Sequence, residues 1–70
     1  MRRWTLDEFE TVLTHPDLSA TELARVLQGR SRDAIELVRI GIQRFFNRQP
    51  NAGFLSSMLL QRMKQLYPDV

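Results

Sequence analysis

Two helix starts lie twelve residues apart near the middle of this chain, at Ser19 and Ser31, and a glycine stands just before the second. Ser19 with Glu22 three residues later forms a capping box, a typical start of a helix. Gly29 is placed to end that helix in a left-handed conformation. Two short helices joined by a glycine-containing turn are the pattern of a helix-turn-helix, which points first to nucleic-acid recognition.

Apolar residues recur at helical spacing along the whole chain, and strand-type alternation is absent. The pattern predicts helices over residues 5–14, 19–28, 31–47 and 52–66. Thr5 and Glu8 form a second capping box, and Asn51 is the candidate cap of the fourth helix. The predicted fold class is all-α. A single domain covers residues 1–70, with a trihelical core over 3–47 and a C-terminal amphipathic helix over 52–66.

Composition excludes several functions. The 70-residue chain has no cysteine and one histidine, so a thiolate or histidine-rich metal site is not expected. There is no phosphate-binding glycine loop and no nucleophile with a nearby base, so we expect no enzymatic activity, no cofactor and no small-molecule substrate. No apolar run is long enough for a membrane span or a signal peptide. The expected location is the cytoplasm, nucleoid or nucleus.

Charge is distributed unevenly. The first 23 residues carry an acidic excess, whereas residues 24–64 carry a basic one, and all but one of the ten cationic side chains are arginine. Arginine makes planar, bidentate contacts with phosphates and also with carboxylates at protein interfaces. The basic part of the chain therefore suits either a nucleic-acid backbone or an acidic protein surface.

Three motifs resemble the Myb/SANT group of trihelical helix-turn-helix domains. They are the tryptophan-led first helix, the capped second helix, and the glycine–arginine–hydroxyl turn that opens the third: Trp4-Thr5-x-x-Glu8-Phe9, Leu18-Ser19-x-x-Glu22-Leu23-Ala24-x-x-Leu27 and Gly29-Arg30-Ser31-x-Asp33-Ala34-Ile35. The resemblance covers about residues 3–46. It implies a three-helix unit whose third helix is the recognition helix, here followed by a fourth helix outside the family pattern.

The resemblance also implies which positions would read bases. They are occupied here by Glu36, Leu37, Ile40 and Gly41, where DNA-binding members carry lysine, asparagine and serine, and Arg39 replaces a tryptophan. Members of the SANT type bind proteins instead of DNA. The resemblance therefore leaves both classes of partner open.

The first hypothesis is a small DNA-binding transcription regulator whose third helix enters the major groove of double-stranded DNA. The predicted contact residues are Arg30, Arg32, Glu36, Arg39, Gln43, Arg44 and Arg48. Arg2 and Arg3 are candidates for an arm that reaches into the minor groove. The alternative, which we favour, is a frayed and disordered N-terminus. The alternative for the arginines is a solvated face with pairs such as Arg32–Glu36.

The second hypothesis is a protein-interaction module that docks on a protein of the transcription machinery, as a small phage-type inhibitor or antiterminator would. The predicted interface comprises Leu37, Ile40, Gly41, Arg44, Leu55, Met58 and Met63, and a homodimer is a further option. The competing interpretation is that the fourth helix folds back over Leu37 and Ile40. The apolar patch would then be ordinary core.

Overall fold

The structure, a computed structural model, describes residues 3–70 and is all-helical over that range. Helix α1 spans Leu6–Thr14, α2 spans Ala20–Val26, α3 spans Arg32–Phe46 and α4 spans Ser57–Leu66. The described residues contain no strand. The predicted all-α class is confirmed, and the first three helices lie within one or two residues of their predicted bounds. Arg2, a candidate for the minor-groove arm, falls outside the described residues.

Side-chain caps explain where α1, α2 and α3 begin. The Thr5 hydroxyl accepts a hydrogen bond from the Glu8 backbone N–H at 3.2 Å, and Glu8 accepts one in return from the Thr5 N–H. Ser19 and Glu22 repeat the arrangement, and the hydrogen bond from the Ser19 backbone N–H to the Glu22 carboxylate holds the pKa of Glu22 below its ordinary value. Ser31 caps α3 through the Ala34 N–H. Each cap satisfies backbone donors that a helix start leaves without partners.

Helices α2 and α3 are joined by a turn in which Gly29 has φ +83° and the Arg30 N–H donates to Leu27 O at 3.1 Å. The left-handed conformation predicted for Gly29 is confirmed. The helices close around a core to which all four contribute: Phe9, Val12, Ala20, Leu23, Leu27, Ile35, Val38, Leu55, Leu59 and Met63.

The predicted start of α4 is wrong by several residues. Ala52 and Gly53 have φ of +54° and +82°, and the Phe54 N–H donates to Asn51 O, so this segment forms a tight turn. Asn51 does not cap the helix, because its side-chain amide donates to Leu55 O at 2.8 Å. The cap is Ser56, whose hydroxyl accepts from the Leu59 N–H. Left-handed residues cannot continue a helix, so α4 begins only after the turn.

Helix α4 packs against α1 and leaves the outer face of α3 uncovered. Arg62 of α4 donates to Glu10 of α1 at 2.6 and 2.8 Å, and Leu59 and Met63 are buried in the core. Tyr67, just after α4, packs edge-on against Phe46 at the end of α3, with ring centroids 4.9 Å apart. The interpretation in which α4 covers Leu37 and Ile40 is therefore wrong.

The C-terminus of α3 ends in a hydrogen-bonded motif that usually contains glycine. Arg48 has φ +57°, the Arg48 N–H donates to Phe45 O, and the Gln49 N–H donates to Arg44 O. These two bonds define a Schellman motif with Arg48 at the left-handed position. A side chain there costs energy that glycine avoids.

We expect Arg48→Gly to raise the free energy of unfolding by about 0.5–1 kcal/mol, as urea denaturation would measure. Asn47→Gly is the matched control. Asn47 has an ordinary φ of −86°, so glycine there should only lower stability. Equal effects at both positions would show that the left-handed conformation of Arg48 carries no strain.

Candidate interaction surface on helix α3

Four residues on the outer face of α3 recur at spacings of four, three and four: Asp33, Leu37, Ile40 and Arg44. At 100° per residue these positions fall within about 60° of one another, opposite the buried Ile35 and Val38. We call the four residues the α3 stripe. Leu37 and Ile40 are 48% and 41% exposed to solvent, so the centre of the stripe is apolar and accessible.

Arg30 does not belong to this surface. Its side chain is only 6% exposed and makes a bidentate pair with Glu8, at 2.7 and 3.1 Å. Arg30 Nη2 also donates to Arg3 O, and the guanidinium lies 4.6 Å from the centroid of the Trp4 ring. These contacts join α1 to the α2–α3 turn and bury the guanidinium. The prediction that Arg30 binds a phosphate is therefore wrong.

Arg39 is also engaged within the protein. Its Nη2 atom donates to Leu18 O and, at 3.1 Å, to His15 O. These carbonyls belong to the segment between α1 and α2, so Arg39 fastens that segment to α3. The side chain is half-buried. Base reading by Arg39 would require both hydrogen bonds to break, and this geometry contradicts its predicted role.

The remaining members of the predicted DNA set are more accessible. Glu36, Gln43 and Arg48 are exposed, and Arg32 lies at the start of α3 with 59% of its side chain exposed. Arg32 Nη2 lies 3.6 Å from Asp33 Oδ1, so Arg32 pairs with Asp33, whereas the alternative interpretation of a solvated face named Glu36 as its partner. Such an exposed pair contributes little to stability.

The Arg44 side chain is held in place by its neighbours but remains partly exposed to solvent. Its guanidinium lies 4.9 Å from the centroid of the Phe54 ring, and Nη1 donates to Pro50 O at 3.2 Å. A guanidinium has five N–H donors, so it can bind a further acceptor without giving up this position. Arg44 therefore presents a preorganised cation at the C-terminal end of the α3 stripe.

Three residues of the predicted protein interface belong to the core instead. Leu55 and Met63 are 4% and 0% exposed. Gly41 is buried, and a Cβ atom built on it would lie 2.6 Å from Leu55 Cγ. The prediction is wrong for these three, since Gly41 provides close approach for the segment before α4 and offers no surface to a partner. Met58 is 45% exposed but lies on α4 beside Trp4 and Leu6, in a separate shallow groove.

Asp33 is absent from both predicted sets. The sequence explains it as an acidic residue in the first turn of a helix, where the helix dipole favours a carboxylate. The structure adds that its side chain is 83% exposed and lies at the N-terminal end of the α3 stripe. The four-three-four spacing was available in the sequence as a signal.

The described residues 3–70 contain no group of three or more histidine, cysteine, aspartate or glutamate side chains that could hold a metal ion. No helix in this range is both long and apolar enough to cross a bilayer. Comparison with protein-family models, curated proteins and solved structures finds no match to this chain.

Proposed function

We propose that this chain is a protein-interaction module of Myb/SANT-like helix-turn-helix type, in which the α3 stripe is the docking surface. The observation that carries the proposal is the exposure of Leu37 and Ile40 at the centre of the outer face of α3. Helix α4 packs against α1 and does not cover these side chains. Two neighbouring aliphatic residues on one helix face, with charges at both ends, would give a partner an apolar centre and two charged ends to contact.

The fate of the arginines supports the same proposal. Two of the five arginines predicted to contact DNA, Arg30 and Arg39, bind carboxylate or carbonyl oxygens inside the protein. The exposed face of α3 also carries two carboxylates, Asp33 and Glu36, which a phosphate backbone would repel. A protein surface can accept aliphatic and acidic groups together, because its own side chains supply apolar and basic partners.

A double-stranded DNA partner is the second candidate. Arg32, Gln43 and Arg48 are exposed on α3 and just after it, and their side chains are of types that contact phosphates and base edges. The mark of such binding is a linear fall of log affinity with log salt, with a slope of about −0.9 for each phosphate neutralised. A short domain of this kind would need a second copy or a larger complex for specificity.

Photo-crosslinking in cells that express the chain tests protein docking. A benzophenone amino acid replaces Ile40 in one variant and Val26 in the other. Val26 is 62% exposed but lies on α2, away from the α3 stripe. We expect a protein adduct from position 40 and little or none from position 26, because only position 40 would touch a docked partner.

A third variant combines the reactive group at position 40 with Leu37→Asp. An exposed aspartate leaves the core intact but makes the centre of the stripe polar, so the adduct should disappear while the helical circular dichroism is retained. Equal adduct yields from positions 40 and 26, or no protein adduct from position 40, would contradict docking through α3.

A further inference from the structure

The α3 stripe has a charge pattern that is complementary to itself. A carboxylate lies at its N-terminal end, a guanidinium lies at its C-terminal end, and two aliphatic side chains lie between them: Asp33, Arg44, Leu37 and Ile40. The spacing of four, three and four residues is that of the contact seam between paired helices. A seam of this kind needs a second helix to bury its apolar centre.

A second copy of the same helix fits when the two helices run antiparallel. A two-fold axis midway between Leu37 and Ile40 places Leu37 of one copy against Ile40 of the other. Asp33 and Arg44 lie 5.5 residues on either side of that midpoint, about 8 Å along the helix axis at 1.5 Å per residue. The same axis therefore brings each Asp33 level with the Arg44 of the other copy.

The flanking residues are compatible with this arrangement. Glu36 and Gln43 lie beside the stripe on the same side, and antiparallel pairing brings each Glu36 close to the Gln43 of the other copy. A carboxylate then meets a neutral amide donor and no second carboxylate. On the other side lies Ala34, whose small side chain does not obstruct the second helix, while Gly41 is covered by Leu55 of the same copy.

We infer that the protein self-associates through an antiparallel pair of α3 helices, held by Leu37–Ile40 contacts and two Asp33–Arg44 ion pairs. This inference rests on the proposed docking function and names its partner as a second copy of the chain. Three turns of one helix bury less area than the 1,200–2,000 Å² of stable interfaces, so the dimer is weak. Arg44 is already held by Phe54 and Pro50, which lowers the entropy lost on pairing.

Sedimentation equilibrium over a concentration series up to about 1 mM tests the inference, since a weak dimer is populated only in that range. The wild-type chain is compared with Asp33→Lys, with Arg44→Glu, and with an equimolar mixture of the two variants. A dimer of either variant with itself would place like charges opposite each other at both ends of the stripe. A mixed dimer of the two variants would again place opposite charges there. Circular dichroism confirms that each variant is folded.

The expected result is a monomer–dimer equilibrium for wild type, at least a tenfold weaker one for each variant alone, and recovery in the mixture. Three outcomes would overturn the inference: a wild-type monomer throughout, self-association that neither substitution weakens, or a mixture that stays monomeric. If crosslinking at position 40 gives an adduct with a different protein and wild type stays monomeric, the docking function stands and self-pairing fails. If position 40 gives no protein adduct, the docking function itself fails.

Discussion

Arg30→Ala is expected to leave much of the protein unfolded at 25 °C. Arg30 is the most buried charged residue of the described chain, and it binds both carboxylate oxygens of Glu8 and the carbonyl oxygen of Arg3. Removal of one partner from a buried pair costs about 3–5 kcal/mol, because the other charge stays in the protein without its counter-ion. The core of a chain of 70 residues contributes only about 3–5 kcal/mol of net stability. The expected loss is therefore comparable to the total free energy of unfolding.

Thermal and urea denaturation followed by circular dichroism would measure the effect, with Arg25→Ala as the control. Arg25 is exposed on α2, and its loss should change stability by less than about 0.5 kcal/mol. The double variant Arg30→Met/Glu8→Gln should be more stable than Arg30→Met alone, because it removes the negative charge that has lost Arg30 while glutamine preserves the capping box. A loss below about 1 kcal/mol for Arg30→Ala would show that the pair is not structurally important.

Gly41→Ala is expected to lower the free energy of unfolding by about 1–3 kcal/mol, although alanine is normally preferred to glycine inside a helix by about 1 kcal/mol. The added Cβ would lie 2.6 Å from Leu55 Cγ, 2.9 Å from Leu55 Cδ2 and 3.1 Å from Phe54 Cβ. Leu55 is only 4% exposed, so its side chain has little room to move away. The segment before α4 would have to shift from α3.

Gln43→Ala is the matched control, since Gln43 is exposed on the same helix and its replacement should change stability by less than about 0.5 kcal/mol. The clash can be isolated with a double-mutant cycle. Gly41→Ala should cost less in a Leu55→Ala background, where the space is open, than in wild type. A Gly41→Ala variant that is as stable as wild type or more stable would mean that α3 and the segment before α4 are not in close contact.

The sequence predicted the starts of α1, α2 and α3 well, whereas the start of α4 was missed although Ser56 caps it. Thr5, Ser19 and Ser31 fix the beginnings of α1, α2 and α3 through local hydrogen bonds that a short sequence window contains. The start of α4 was missed because Ala52 adopts a left-handed conformation that its residue type does not favour. Packing of Leu55 against Gly41 accompanies that turn, and contacts between distant residues are not visible in local patterns.

The candidate site was predicted less completely, for a similar reason. Helical spacing correctly separated Leu37 and Ile40 from the core face of α3. It could not show that Arg30 reaches Glu8 across 22 residues or that Arg39 reaches Leu18 across 21, because these contacts depend on how the helices pack. Exposed arginines and arginines that bind inside the protein look alike in a sequence. In the structure Arg30 and Arg39 bind acceptors inside the protein, and their loss from the exposed face supports the proposal of a protein partner.

An amide-shift titration of the ¹⁵N-labelled chain with a random-sequence duplex, at low salt and again at physiological ionic strength, would decide between the two candidate partners. Screening acts over about 8 Å at physiological salt, so contacts with phosphates weaken visibly. If the α3 stripe is a protein-docking surface, the amides of Leu37, Ile40 and Gln43 should stay unperturbed at both salt concentrations. Saturable shifts of these amides at low salt, lost steeply as salt rises, would contradict protein docking and establish α3 as a DNA-recognition helix.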